Sequence, residues 1–270
     1  MATKTTPLYQ TDESLRTHTT QILSLLPIAS LPEQSRALFK TAEENDWVLV
    51  TAETIFYAQG GGQPCDTGII SLSDPTTDTE KTVFTVSSVR NGPEGSILHL
   101  GTFTAGSAAS FTPGTSVLQT IDGEKRQLNS RIHTAGHIVG LAVRHLATSI
   151  PNVSELKAQH YPDLAFVDFQ GSIEGKHKEA IQAQVDAYVA QKLPVRVYFL
   201  NEAELREKCA VVPEAVVIPE GELVRAVDIV GAGAYPCGGT HVADTGFVGK
   251  VTVKKISRSK GNSKVSYFVS

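Results

Sequence analysis

The chain has 270 residues, 41% hydrophobic and 19% charged, with a formal net charge of −4. This suits a globular protein of one or two domains, excludes a disordered low-complexity chain, and does not advertise nucleic-acid binding across the whole molecule. Three cysteines make no disulfide framework, no run of 18 apolar residues predicts a membrane span, and the N-terminus lacks the apolar core of a secretory signal, so a cytoplasmic location without membrane contact is expected.

Residues 8–24 open polar and read as a short strand, and 28–46 as a loop or short helix. From Asp46 the texture changes. Residues 47–57, WVLVTAETIFY, are rich in β-branched and aromatic side chains and read as strands. Three consecutive glycines, Gly60, Gly61 and Gly62, then interrupt any regular element and predict a loop whose backbone can approach a neighbour closely. Further strands follow at 68–72, 82–90, 96–101 and 116–122, with a turn at 112–115. Short strands at this spacing predict a small β-barrel over residues 1–121.

At Asp122 the period switches. Leu128, Ile132, Ala135, Ile138, Val139, Ala142, Val143 and Leu146 recur at helical spacing, with Asp122 as a cap. Two strands joined tightly at 161–163, a helix at 174–193, a strand at 195–201, a short helix at 202–210 and a strand at 221–230 follow. The end of the chain reads as a hairpin turning at 260–262. Residues 122–270 are therefore expected to form an α+β domain, with helices packed on an antiparallel sheet.

Two histidines, His133 and His137, lie i, i+4 on the first helix, so both imidazoles share one face. Cys237 and His241 repeat the spacing about a hundred residues later. Two His, one Cys and one more His form a borderline-soft donor set of the kind zinc prefers, and we read them as one four-ligand site. Gly238 and Gly239 are expected to let the backbone bend so that both side chains converge. Closed by four protein ligands the site is structural, whereas a catalytic zinc keeps one position open. A second signal is local charge. Lys250, Lys254, Lys255, Arg258, Lys260 and Lys264 occur in the last 21 residues with no acidic residue, a pattern that serves phosphates or is simply a solvated face.

Four blocks in order, ETIFYAQGGGQPCDTG (53–68), IDGEKRQLNSRIHTAGH (121–137), CGGTHVADTGFVG (237–249) and ISRSKGNSKVSYFV (256–269), give the chain a recognisable pattern. It resembles the free-standing alanyl-tRNA editing proteins of the AlaX type, in the two-domain version. The resemblance implies a translation-factor-like barrel followed by an editing domain. It places zinc ligands on His133, His137, Cys237 and His241. It places the glycine-rich loop on Gly60, Gly61, Gly62 and Gln63, with Gln63 at the position that recognises the aminoacyl group. Arg126 and Arg131 before the metal helix, and Lys260 in the terminal segment, fall on its basic positions. With Lys254 and Lys255 these are the expected tRNA contacts. The chain departs from the family where Tyr57-Ala-Gln precedes the glycines, and at Gly233, often acidic there.

The implied reaction is hydrolysis of the ester linking serine, or glycine, to tRNA-Ala. Such an activity must spare alanine, and so needs a handle for serine's hydroxyl, for which Gln63 or Thr134 is expected. There is no G-x-S-x-G, and His-Thr-Ala-Gly-His lacks the glutamate of a metalloprotease helix. At 270 residues the chain is expected to be too short for a full synthetase. Two other readings stay open: a zinc hydrolase of the same fold acting on a small aminoacyl ester or amino-acid derivative, and a non-catalytic tRNA-binding module with structural zinc. A monomer is favoured.

Overall fold

The computed structural model describes residues 4–73, 82–105, 107–209, 211, 212, 218 and 221–270. They fall into two units. One runs to Gly60 and resumes over Pro64–Arg126; the other comprises Gly61–Gln63 and Gln127–Ser270. The division lies five residues beyond the boundary expected at 121, and Gly61–Gln63 group with the second unit. Among the described residues no helix is long and apolar enough to cross a membrane.

The first unit contains β1 (Thr6–Pro7), β2 (Thr17–Pro27), a one-turn helix α1 (Glu33–Arg36), β3 (Trp47–Thr51), β4 (Glu53–Thr54), β5 (Gly68–Leu72), β6 (Val83–Asn91), β7 (Ile97–Ala105) and β8 (Ser116–Ile121). Six of these close into a barrel in the order β2-β3-β7-β6-β5-β8, each pair antiparallel. Closure removes the exposed edges that an open sheet would leave. Alternation decides what points inward: in β8, Val117, Gln119 and Ile121 are buried between more exposed neighbours.

Residues 55–57, expected as strand, are not. Ile55, Phe56 and Tyr57 are buried in the barrel core, but their backbone donors go to side chains: Ile55 N–H to Gln119 Oε1 at 2.9 Å, Phe56 N–H to Thr54 Oγ1 at 3.1 Å and Tyr57 N–H to Asp66 Oδ2 at 2.7 Å. Hydrophobicity predicted burial correctly, while side-chain acceptors replaced the ladder.

Arg126 corrects another expectation. It is fully buried rather than available to tRNA. Its Nε donates to both oxygens of the buried Asp66, at 3.1 and 2.9 Å, its Nη2 to Asp66 and to the Ile55 carbonyl, and its Nη1 to the Glu13 carbonyl at 3.3 Å. Asp66 and Tyr57 also bond through their backbones. The guanidinium therefore ties together the two ends of the glycine-rich segment.

In the second unit the long helix α2 (Gly123–His145) continues from its first turn, capped by Asp122 Oδ1 accepting from Lys125 N–H at 3.0 Å. It is followed by β9 (Ser154–His160), β10 (Ala165–Gln170), α3 (Lys178–Ala190), β11 (Val195–Leu200), α4 (Glu202–Lys208), β12 (Val224–Ile229), β13 (Gly233–Pro236), β14 (Val251–Ser259) and β15 (Asn262–Val269). Two antiparallel sheets result, β14-β15-β10-β9 and β11-β12-β13. The apolar face of α2, including Ile132, Ala135, Ile138 and Val139, shares a core with Val167, Phe169, Val265 and Tyr267. The terminal hairpin turns through Lys260 and Gly261, both left-handed at φ 49° and 80°, the backbone that matches strand twist. The architecture is thus α+β, a six-stranded barrel and a helix-bearing unit with antiparallel sheets. The short β13 was not expected, since a four-residue Gly-Ala-Tyr-Pro stretch carries little strand signal.

Arg126→Met leaves Asp66 buried without its cation, and the first unit should lose about 3–5 kcal/mol of stability in urea unfolding. A loss under about 1 kcal/mol would mean that the pair is dispensable.

Candidate metal centre

Helix α2 presents His133 and His137 one turn apart, and the loop after β13 presents Cys237 and His241. One donor atom from each lies within 4.8 Å of every other. The three imidazoles are 2%, 8% and 7% exposed, in that order, and Cys237 is half-buried. Cys237 Sγ is 3.5 Å from His133 Nε2 and 3.4 Å from His241 Nε2. A tetrahedron with Zn–S of about 2.3 Å and Zn–N of about 2.0–2.1 Å has S···N edges of about 3.5 Å. The separations and the N/S donor set both fit that ion.

The cysteine loop is pinned from behind. Arg225, itself buried, donates from Nη1 to the Cys237 carbonyl at 2.7 Å and to the Gly239 carbonyl at 2.9 Å, while Cys237 N–H returns to the Arg225 carbonyl at 3.0 Å. Gly239 N–H points at Cys237 Sγ at 3.3 Å. The role expected for these glycines needs correcting. Gly239 has no left-handed φ; it is glycine because a Cβ there would lie 2.1 Å from His133 Cε1 and 2.9 Å from Gln63 Oε1. Close approach of the ring, not a bend, sets the residue type.

Each ring also needs its second nitrogen answered. His133 Nδ1 donates to Gln63 Oε1 at 2.7 Å, which leaves Nε2 with its lone pair toward the sulfur. His241 Nδ1 donates to Thr134 Oγ1 at 3.0 Å, leaving its Nε2 likewise. His137 Nδ1 is buried with no hydrogen-bond partner among the described residues, so that ring calls for a partner from outside the chain. Burial, reinforced by neighbouring imidazoles, holds His133 and His241 well below the usual imidazole range, and burial with Arg225 lowers His137 to about 3. All three are neutral at pH 7, the state that ligates.

Gln63 and Thr134 were expected to touch the aminoacyl group. Gln63 is fully buried, and its Oε1 also accepts from Thr240 N–H at 3.0 Å while its Nε2 donates to Thr240 Oγ1 at 2.9 Å. One N–H remains. Thr134 has nothing left: its hydroxyl donates to the Ser130 carbonyl at 2.9 Å and accepts from His241 and from Val242 N–H at 3.2 Å. A hydroxyl offers one donor and two acceptors, so Thr134 is no handle for a substrate hydroxyl. Gly61 and Gly62 are left-handed, at φ 51° and 78°. A Cβ on Gly62 would meet the Ala158 carbonyl oxygen at 2.3 Å, and the Gly62 carbonyl accepts from His160 N–H at 2.8 Å. These contacts lay Gly62 against β9 and set Gln63 beside His133.

Sequence reasoning missed His160. It is 2% exposed, stacks on His133 with centroids 4.1 Å apart, and bonds Tyr267 through Nδ1 at 2.7 Å. Tyr267 donates its own proton to the Ile132 carbonyl at 3.0 Å, so His160 carries its proton on Nδ1 and offers Nε2 as an acceptor. Burial lowers it to about 3. Gly136 makes room, since a Cβ there would lie 2.3 Å from His160 Cε1. The signal was available as a glycine in the middle of a helix, next to His137 of the candidate cluster.

Of the basic residues, Arg131 is committed to the fold: Nε donates to the Val248 carbonyl at 2.8 Å and Nη2 to the Ser270 carbonyl at 2.9 Å. Lys254, Lys255 and Lys260 are exposed. Pairing shifts between Val253 and Lys255, and this bulge lets adjacent lysines both face solvent.

Comparison with known proteins bears on both units. A family model described as tRNA synthetases class II (A) matches residues 2–125, and one described as threonyl and alanyl tRNA synthetase second additional domain matches residues 224–265. The chain is 31% identical over 216 residues to alanine–tRNA ligase 1 of Lachnoclostridium phytofermentans, covering 79% of this chain and 22% of the ligase. It is 29% identical over 256 residues to the alanine–tRNA ligase of Natronomonas pharaonis, covering 86% and 25%. That of Methanosarcina mazei is 30% identical over 212 residues, covering 78% and 22%. The chain spans about a quarter of the length of these curated relatives.

Gln63→Ala and Thr134→Val each remove the acceptor that orients one histidine. Each should weaken zinc binding about 10–100-fold in chelator competition. Unchanged affinity would mean that the rings are held by packing alone.

Proposed function

Since the chain belongs to the alanyl-tRNA synthetase editing-domain family, we propose that it is a trans-editing hydrolase that removes serine, and secondarily glycine, from mischarged tRNA-Ala. The observation that carries this reading is the buried His133, His137, Cys237 and His241 cluster with Gln63 of the glycine-rich segment on the far nitrogen of His133. A purely structural zinc needs no glycine-rich segment laid against its ligands.

The four cluster residues would hold zinc, which would supply Lewis-acid stabilisation of charge developing on the ester oxygens once its coordination expands beyond the four protein ligands. The chain's own groups do the rest. Gln63 and Thr134 keep the proton of His133 and His241 on Nδ1, so the donor atoms stay neutral and aimed inward. The burial that lowers the imidazoles also excludes bulk water, which strengthens every polar contact with a bound ester.

Selection against alanine requires a group that hydrogen-bonds serine's hydroxyl. With Thr134 fully engaged, His160 takes that role: its Nε2 is an acceptor with no partner among the described residues, on a ring stacked against His133. A hydroxyl-binding site discriminates against the analogue lacking it far better than an apolar pocket does. The exposed lysines of the terminal hairpin, Lys254, Lys255 and Lys260, supply the phosphate contacts, in a chain whose remaining residues are net negative.

The direct test adds purified chain to Ser-, Gly- and Ala-charged tRNA-Ala. Release of serine with alanine spared is expected; equal rates on all three, or none, would sink the reading. His160→Phe should keep zinc but lower the Ser/Ala preference about 10–100-fold, the scale of one or two hydrogen bonds; an unchanged ratio would remove His160 from recognition. Lys254→Ala with Lys260→Ala should raise KM for tRNA and reduce the log–log salt slope by about 0.7–0.9 per lost phosphate contact. If KM and slope stay put, these lysines are only a solvated face.

A further inference from the structure

The face of α2 that carries His133 and His137 continues to Gly140 and Arg144. A separate cavity of about 220 Å³ opens there, walled by Val143, Ile150, Val153 and Phe169 and lined by Glu155, Tyr235 and Arg144. Gly140 creates the space: a Cβ would lie 2.4 Å from Glu155 Oε2 and 2.6 Å from the Tyr235 hydroxyl. Tyr235 donates to Glu155 Oε2 at 2.9 Å, and Glu155 has no cationic partner among the described residues. Arg144 is likewise in no ion pair among the described residues. Two opposite charges thus line one small cavity without meeting each other. A carboxyl in apolar surroundings with only a hydroxyl for company is driven upward, here to about 7, and a positively charged occupant would reverse that.

We propose that this cavity binds a small free α-amino acid, with its ammonium on Glu155 and its carboxylate on Arg144. The ligand class follows from three features. A zwitterion is the simplest solute that brings a cation to the glutamate and an anion to the arginine over a few ångströms, and the guanidinium fork matches a carboxylate. The volume lies below the range of about 300–1,000 Å³ typical of drug-sized ligands, which suits a molecule with a short side chain. The apolar walls leave no further charge to satisfy. An aminoacyl ester keeps the ammonium but has no carboxylate, so this cavity prefers the free acid to the ester. It is therefore a different site from the metal centre, and it stands independently of the deacylase reading. Tyr235 links the two, its ring centroid lying 4.7 Å from that of His137.

The test is calorimetric titration of the zinc-loaded full chain with glycine, L-alanine and L-serine, beside L-alaninamide, which lacks the carboxylate, and propionate, which lacks the ammonium. Free amino acids should bind with Kd of about 1 mM, and both controls at least about ten-fold more weakly. Glu155→Gln, which keeps the shape and the tyrosine bond, and Arg144→Gln, on an exposed position, should each weaken alanine about ten-fold or more with zinc content and thermal midpoint unchanged. Alaninamide binding as well as alanine, binding that survives both variants, or no amino acid bound at all would each overturn the proposal.

Discussion

A buried imidazole has two nitrogens, and both must be answered before it can serve as a ligand. The second unit depends on this constraint. In water either nitrogen finds a partner; in a core where His133, His137 and His241 are almost wholly hidden, the protein must supply one. Gln63 answers His133 and Thr134 answers His241. Both acceptors are tied down in turn, Gln63 by Thr240 and Thr134 by Ser130 and Val242. The result is a shell in which His133 and His241 each have one tautomer and one direction, while His137 Nδ1 has no partner among the described residues.

Glycines serve that shell in different ways. Gly239 lets the His133 ring lie on the cysteine loop, Gly62 lets the segment carrying Gln63 reach β9, and Gly136 and Gly140 let His160 and Glu155 sit over α2. Only Gly62 among these has a left-handed backbone; the others exist because a polar side chain or ring occupies the space of a Cβ. Two arginines do comparable work with carbonyls and a carboxylate. Arg225 fixes the cysteine loop, and Arg126 holds Asp66 and Ile55 in the first unit. Neither guanidinium is available to a nucleic acid, although basic residues beside a metal helix invite that reading.

Periodicity made much of the fold legible. The switch from alternation to helical spacing at Asp122 marks α2, and the strands from Gly68 to Ile121 and the hairpin at Lys260 follow from β-branched runs between turn residues. That His133, His137, Cys237 and His241 come together was legible as well, because i, i+4 histidines and a matching Cys/His pair suggest one joint use. What stayed hidden was everything set by three-dimensional closeness. No spacing connects His160 to His133, and none reveals that Thr134, one residue from a ligand, has its hydroxyl fully engaged. Arg126 looked like a surface charge because nothing local marks Asp66 as its partner. Residues 55–57 looked like strand because side-chain acceptors elsewhere, on Gln119 and Asp66, are invisible to a local pattern.

The proposed function requires that the cluster hold zinc and that hydrolysis depend on it. Cys237→Ala removes the sulfur while leaving the three rings, Gln63 and Thr134 in place. Zinc content, near one per chain in the parent, and release of serine from tRNA-Ala should fall together in this variant, with the fold retained by circular dichroism. A variant that binds no metal yet deacylates at the parent rate would contradict that requirement.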